Sequence, residues 1–521
     1  MDTQPPSMDT QKDVSTVFSR APAGLDAPTV RVEVHLGNGL PAFNLVGLPE
    51  AVVRESKERV RAALETAGYD FPQRRITVNL SPADLPKEGG RFDLPIAVGI
   101  LAADRKILAK SLKDREFYGE LSLGGALRET RKLLPALIAG AKQGSEMILP
   151  AANALEASLV SGAKLRLVNH LSEVVAALKA TGSPYAPPFT PLDAASGKPS
   201  SKPAPDLAEV RGQYAGKRAL EIAAAGEHGL LFIGPPGSGK TLLAQRLQSL
   251  LPPLSQQEIL EVASLESAAG RKPTVGGRRP FRSPQHTASM AALIGGGAMR
   301  PGELSLAHLG VLFLDELPEF PRNALEALRE PLESGTVTLS RLKRTCEFPA
   351  RFQLVAAMNP CPCGYAGDAR GRCHCTAEQV ARYRNRISGP LIDRIDIHVE
   401  LLPLPVDQLL GEERGPSGVR GPSENSAAVA ERVAAARALQ WERQGKLNAR
   451  LTSAEITRFC GLAKDSRMLL AAAIERLGLS ARAYHRVLKV ARTCADLAGE
   501  TDIRLMDVAE AVKLRTLDRA S

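Results

Sequence analysis

The clearest chemistry in the sequence sits at residues 234–241: Gly234, Pro235, Pro236, Gly237, Ser238, Gly239, Lys240 and Thr241, which fit G-x-x-x-x-G-K-T. Glycines in such a loop let backbone N–H groups turn towards phosphate oxygens, and a following helix N-terminus adds a favourable dipole. Lys240 is placed to reach the β- and γ-phosphates of ATP, and the Thr241 hydroxyl to ligate Mg2+. A second pair, Asp315 and Glu316, ends the apolar run VLFLDE. Asp315 is expected to hold Mg2+, directly or through water, and Glu316 to polarise the attacking water. Asn359 ends a third apolar run, QLVAAMN, where it is placed to orient water beside the γ-phosphate. Cys361, Cys363, Cys373 and Cys375 follow at once as C-x-C-x9-C-x-C. Thiolates at this density suit tetrahedral Zn2+, with an Fe–S cluster or free thiols as the alternatives and His374 as a substitute ligand.

The elements around these residues supply the context that such motifs need. GLLFI, 229–233, reads as a strand before the glycine-rich loop, and 242–251 as the helix after it. The runs ending at Asp315 and Asn359 read as buried parallel strands, whose C-terminal ends face the ligand crevice of an open α/β sheet. Two stretches poor in apolar residues, 183–206 and 411–426, read as linkers. They divide the chain into an α+β region, 14–182, an α/β core, 207–405, and a helical region, 427–519. In the first region, 30–36 and 75–80 alternate like strands, while 49–67 and 133–143 have helical spacing. In the last, Thr452 with Glu455 forms a capping-box pattern, and Gly478 with Ser480 marks one helix stop and the next helix start.

The chain has 521 residues, 44% hydrophobic and 24% charged, which excludes a mainly disordered or fibrous protein. Lys and Arg exceed Asp and Glu by 67 to 57, a net +10 that favours polyanion partners. No run reaches the roughly 18–20 apolar residues of a membrane span. The N-terminus, MDTQPPSMDTQKDV, lacks an apolar signal segment. A cytoplasmic protein with no membrane partner is therefore the expectation.

The order of phosphate loop, Asp-Glu strand and strand-terminal Asn resembles the AAA+ ATPases. The segments FRSPQHTASMAALIGGG (281–297), HLGVLFLDELPEF (308–320), NPCPCGY (359–365) and ISGPLIDRIDIHVE (387–400) resemble, more closely, the Mg-chelatase-like AAA+ proteins of the YifB/ComM family. The resemblance runs over about 14–517. It implies an AAA+ P-loop NTPase core, an N-terminal α+β domain like that of Lon protease (ribosomal S5 domain 2-like), and a C-terminal all-α lid. It further implies a homohexameric ring with ATP sites at subunit interfaces. Arg394 in LIDRID is then the arginine finger, with Arg386 as the other candidate. Arg482 in GLSARAYHRV is sensor 2, and Gln213 lies in the segment that packs against adenine.

Between the second and third strands, GTVTLSRLKRTCEFPARFQLV (335–355) reads as a hairpin with Arg341, Lys343 and Arg344 at its tip. In Mg-chelatase and MCM-like relatives this hairpin points into the ring channel, where a basic tip would meet phosphate backbone without sequence preference. Arg271, Lys272, Arg278, Arg279 and Arg282 are a second basic group expected to add to that lining. Lon-type proteolysis needs a Ser–Lys dyad, but at the matching point this chain has Arg91-Phe92-Asp93, with no Ser. The domain therefore reads as non-proteolytic, with Lys87, Arg91, Arg131 and Lys132 as candidate nucleic-acid contacts. The resulting expectation is an ATP-driven DNA motor for branch migration or unwinding of single-stranded or branched recombination intermediates in natural transformation. The alternatives are a metal-insertion motor like magnesium chelatase and a protein-remodelling ATPase.

Overall fold

The computed structural model describes residues 14–47, 55–85, 87–179, 205–297, 299–341, 344–367, 371–403, 424–478 and 480–515. All of the two linker stretches except 205–206 and 424–426 lies outside the described residues. Contacts group the chain into two compact units, one of residues 1–199 with 256–276, the other of 200–255 with 277–521.

The first unit is built on a seven-stranded mixed sheet, β1 (Val14–Arg20), β2 (Thr29–Gly37), β3 (Ala42–Val46), β4 (Arg75–Ser81), β5 (Arg115–Phe117), β6 (Glu146–Pro150) and β7 (Lys164–Val168). Its order is β3-β4-β2-β1-β5-β6-β7. Strand β2 alternates: Val30, Val32, Val34 and Leu36 point into the core, and Arg31 and His35 point out. Two helices follow β3 and β4 in sequence, α1 (Ser56–Thr66), which packs on the second, and α2 (Asp93–Ala103), which covers β1 and β2. α2, DLPIAVGILAA, is buried at every position, so it carries no polar stripe. Gly99 lets it close on β2, since a Cβ there would lie 2.6 Å from a Val34 methyl. The buried Asp93 carboxylate ties α2 to α1 and to the backbone just after β5, accepting from Arg59 at 2.7 Å, from Ser56 and from the Leu121 N–H. A third helix, α3 (Leu134–Gln143), packs with the helix Gln256–Ala268 around Leu133, Leu137 and Ala263. There the Ser267 hydroxyl accepts from the Leu134 N–H and donates to Glu156. Residues 256–276 thus belong by contact to the first unit, although they follow the phosphate loop in sequence.

Two expected nucleic-acid contacts are corrected here. Lys87 is fully buried and donates to the Pro82 carbonyl, and the buried Arg91 donates to the Arg131 and Lys132 carbonyls. Both serve the interior of this unit, because each cation is spent on carbonyl oxygens that would otherwise face apolar surroundings. Lys132 is ion-paired with Glu88 at 2.6 Å.

The second unit has a five-stranded parallel sheet: β8 (Leu230–Ile233), β9 (Phe281–Arg282), β10 (Val311–Leu314), β13 (Gln353–Met358) and β14 (Ile397–Glu400). The hairpin β11 (Thr336–Arg341) and β12 (Arg344–Pro349) intervenes before β13. The sheet order is β9-β10-β13-β8-β14, all neighbours parallel. β8, β10 and β13 are buried at every residue, as a sheet covered on both faces requires. Helices α4 (Tyr214–Gly226) and α5 (Lys240–Leu250) flank β8 in sequence.

After β14 the elements among the described residues are helices: α6 (Ser426–Gln444), α7 (Lys464–Leu477), α8 (Ala481–Leu497) and α9 (Leu505–Lys513), with two short ones, Asn448–Arg450 and Ser453–Phe459, between the first two. The Thr452–Glu455 capping box forms, and the Ser480 hydroxyl accepts from the Ala483 N–H at 3.2 Å. A buried polar chain fastens this helical part to the sheet. His228 contacts Asp396 at 3.0 Å and Thr493 at 2.7 Å, and Asn448 donates to Thr493 and Asp496. The Arg486 guanidinium and His228, beside Asp396, outweigh burial and hold its carboxyl far below the usual carboxylate range. No helix among the described residues is long and apolar enough to cross a membrane.

Candidate functional site

Four chain segments converge at the C-terminal ends of β8, β10 and β13. The loop after β8 is anchored where the Gly234 N–H donates to the Met358 carbonyl at 3.2 Å. Gly237 and Gly239 hold φ of 77° and 87°, the left-handed region that favours glycine. A Cβ on either would meet nothing within 4 Å, so both border open space. Gly239 ends the loop, and α5 begins at Lys240 with its first N–H groups facing the cradle.

The Lys240 ammonium donates to the Gly234 carbonyl at 2.7 Å, the Pro235 carbonyl at 2.9 Å and Asn359 Oδ1 at 3.1 Å. Burial pulls its pKa down, and Asp315 and Glu316 oppose that shift. The Thr241 hydroxyl donates to Asp315 Oδ2 at 2.7 Å, which brings the two expected Mg2+ ligands together. Ser238 Oγ is buried with no partner in the same loop. This donor set fits a nucleotide triphosphate with Mg2+: an ammonium, a run of helix N–H groups and a hydroxyl–carboxylate pair around an open cradle. When bound, the ion neutralises phosphate charge; Thr241 and Asp315 are the residues that would hold it.

Glu316 turns away from its strand at φ 54°, with its carboxylate about half exposed. His286 Nδ1 lies 3.2 Å from Glu316 Oε2, a contact that no motif announced. Gln213, also left-handed at φ 50°, donates to the Ser238 carbonyl at 3.0 Å and the Leu402 carbonyl at 2.8 Å. It thus bridges the phosphate loop to the segment leaving β14. Tyr383 is buried behind Asn359; burial pushes its phenol up to about 12, while a hydrogen bond with the Asn359 backbone opposes the shift.

The four cysteines gather. Their Sγ atoms all lie within 4.8 Å of one another, with pairs at 3.3, 3.8 and 3.7 Å. Tetrahedral Zn–S bonds of about 2.3 Å would space sulfurs about 3.8 Å apart. His374 is not in the cluster, and a buried Cys361 accepts from the Ala366 N–H. The loop touches the nucleotide site, because a Cβ on Gly364 would lie 2.7 Å from Pro236 Cδ.

Arg394 and Arg482 are not brought to this cradle. Arg394 precedes β14, at the sheet end opposite the phosphate loop, where it is ion-paired with Glu333 and donates to the Pro390 carbonyl. Arg482 is exposed in the first turn of α8; one turn later Arg486 pairs with Asp396, which accepts from the Gly229 N–H at the start of β8. Arg386 is half exposed and paired with Glu319 at 2.7 Å. The hairpin forms, with Arg341 opposite Arg344 in register; Lys343 lies outside the described residues. Two members of the second basic group, both partly exposed, have partners within the unit. Arg279 donates to the Pro252 and Leu309 carbonyls, and Arg282 makes a bidentate pair with Glu303.

A parallel sheet in this order, with a phosphate loop after β8, an acidic pair after β10 and an Asn after β13, defines a P-loop protein of the AAA+ class. Family models described as magnesium chelatase subunit ChlI match residues 206–409, 32–153 and, for its C-terminal part, 423–515. The chain is 50% identical over 510 residues to "Competence protein ComM" of Haemophilus influenzae, covering 97% of this chain and 98% of that protein. It is 48% identical over 509 residues to "Uncharacterized protein YifB" of Escherichia coli, covering 97% and 98%. It is also 25% identical over 194 residues to "DNA helicase MCM8" of Bos taurus, covering 37% of this chain and 20% of that protein. The chain belongs to the YifB/ComM family of Mg-chelatase-like AAA+ proteins.

Proposed function

We propose that this protein is an ATP-hydrolysing motor that works as a homohexameric ring on DNA, driving branch migration or strand separation of recombination intermediates during natural transformation. The observation that carries the ATPase reading is the meeting of Lys240, Thr241, Asp315 and Asn359 at the C-terminal ends of the inner strands. Lys240 and the helix N-terminus bind phosphate oxygens, Asn359 orients water, and Glu316 takes the proton from it. Arg394 at the far sheet end is then a group for the neighbour's site, and Arg482 follows the same logic. The sequence similarity to a protein named for competence and to one named a DNA helicase favours DNA as the cargo. The hairpin β11–β12 supplies the cationic contact through Arg341, Lys343 and Arg344. The family models favour a second reading, a metal-insertion motor, which needs no polynucleotide.

The deciding measurement is ATP turnover with and without single-stranded or four-way-junction DNA across a salt series. A DNA motor is expected to be stimulated, with binding that weakens linearly in log salt. Lys343→Ala with Arg344→Ala is expected to lower that salt slope by about two and to abolish junction unwinding while basal turnover persists. Unchanged unwinding by the double variant removes the hairpin from the reading, and no response to any DNA removes DNA.

The sulfur geometry favours Zn2+ on Cys361, Cys363, Cys373 and Cys375, in a structural role beside the phosphate loop. Purified protein is expected to carry about one zinc per chain, released only on unfolding or thiol modification. Iron in place of zinc, or four readily titrated thiols with no metal, sinks this assignment.

A further inference from the structure

We infer that Arg486 of α8 is a positioning residue for Arg394, so that the helical region of each chain sets how that chain presents Arg394 to its neighbour. The inference rests on the reading of Arg394 as the group that completes the neighbour's ATP site.

Arg394 stands two residues before Asp396, so at most about 7 Å of backbone separates them. Asp396 is buried and anchors this segment. Its carboxylate accepts from the Arg486 guanidinium and from the Gly229 N–H, and contacts His228 at 3.0 Å. Strand β14, which follows, is the edge of the sheet, so β8 holds it on one side only. On the other side the helical region holds it. The His398 N–H donates to the Leu514 carbonyl at 2.6 Å, just past α9. The buried Arg515 donates to the Ile395 carbonyl at 2.7 Å. Residues 395–398 are therefore gripped between the start of β8 and the helical region.

The Arg394 guanidinium has fewer ties of its own. It donates to the Pro390 carbonyl and pairs with the exposed Glu333, while its Nε is buried with no hydrogen-bond partner among the described residues. Arg394, Glu333, Asp396 and Arg486 line one cavity of about 260 Å3, with Arg450 and Lys489 of the helical region also in its wall. When α8 shifts, Asp396 follows, because a buried carboxylate parted from its cation is left uncompensated. Arg394 then follows Asp396, since packed interiors pass such shifts on rather than absorb them.

The alternative is a pair that only fastens the helices to the sheet and supports the chain's own nucleotide cradle. Mixed assemblies of full-length chains separate the two. Arg486→Met keeps most of the apolar stem and removes the charge. The readouts are ATP turnover and nucleotide affinity of this variant alone, and turnover in equal mixtures with Glu316→Gln or with Arg394→Ala chains.

Alone, Arg486→Met is expected to turn over ATP about tenfold to a hundredfold more slowly, with nucleotide affinity near the parent's. Mixed with Glu316→Gln, roughly a quarter of the sites join a working Glu316 to a well-placed Arg394, and turnover should recover to that order. Mixed with Arg394→Ala, no site does, and turnover should stay low. Arg486→Lys, which keeps the cation, should restore most of the rate. The reverse pattern would put the defect in the variant's own cradle and overturn the inference. Recovery with neither partner overturns it as well, as does parent-like turnover or a failure of Lys to rescue. Asp396→Asn breaks the same pair at constant volume and should give the same pattern, so the test stands even where Arg486→Met does not fold. Arg394→Ala alone keeps the two claims apart. If it turns over ATP like the parent, the reading of Arg394 falls; if it is inactive and Glu316→Gln rescues it but not Arg486→Met, only the role of Arg486 falls.

Discussion

Glu316→Gln is expected to bind ATP as tightly as the parent chain and to hydrolyse it about 10²–10⁴-fold more slowly. The change keeps the side chain's shape and leaves Lys240, Thr241 and Asp315 in place, and these are the groups that meet phosphates and Mg2+. What it removes is the one carboxylate at this edge that is neither bonded to Thr241 nor needed by the ion. Glu316 contributes a modest upward pull on the Lys240 ammonium, so affinity should move little. Equilibrium titration with a fluorescent nucleotide and phosphate-release kinetics read the two quantities separately. Turnover within tenfold of the parent would mean that the proton goes elsewhere; a large loss of affinity would mean that Glu316 binds rather than activates.

The nucleotide site was legible because it is local. Five of its eight loop positions, three glycines with Lys240 and Thr241, are fixed by the need for bare backbone or for one functional group, and the strand and helix beside them have plain apolar patterns. Asp315 and Asn359 were legible for the same reason, each being the first polar residue after a buried run. The contact of His286 with Glu316 was not, because it spans thirty residues of sequence and the neighbours of His286 carry no periodicity. α2 was missed for the opposite reason: a helix buried all round, DLPIAVGILAA, has no polar face to give it a period. The errors in charge share one cause. Lys87 and Arg91 look like surface cations in sequence, but each is buried and used to satisfy carbonyls inside its unit. Sequence counts charges, whereas only the fold shows which are already spent. The cysteine spacing, C-x-C-x9-C-x-C, marked a cluster, and the sulfur distances add that all four can face one point.

Arg394→Ala carries the other large effect, a loss of about 10³-fold or more in turnover with nucleotide affinity retained. The argument is one of position. β8 and β14 run parallel, the phosphate loop leaves the C-terminal end of β8, and Arg394 precedes the N-terminal end of β14. Four strand residues, about 13 Å, separate those ends, so Arg394 cannot serve the cradle of its own chain. In the isolated chain its guanidinium is held by Glu333 and the Pro390 carbonyl, with the side chain only 8% exposed. A neighbour's phosphate charge must compete with Glu333 for it. Glu333→Gln should therefore leave turnover intact or raise it, while Arg394→Ala abolishes it. Mixing gives the sharper test. In a head-to-tail ring each site needs Glu316 from one protomer and Arg394 from the next. Glu316→Gln and Arg394→Ala chains, inactive alone, then rebuild whole sites when mixed in equal amounts. Random assembly makes roughly a quarter of the sites whole, and turnover should recover to that order. A mixture as inactive as its parts would mean that one chain supplies both Arg394 and Glu316 to a site, against their separation along the sheet, or would remove Arg394 from catalysis.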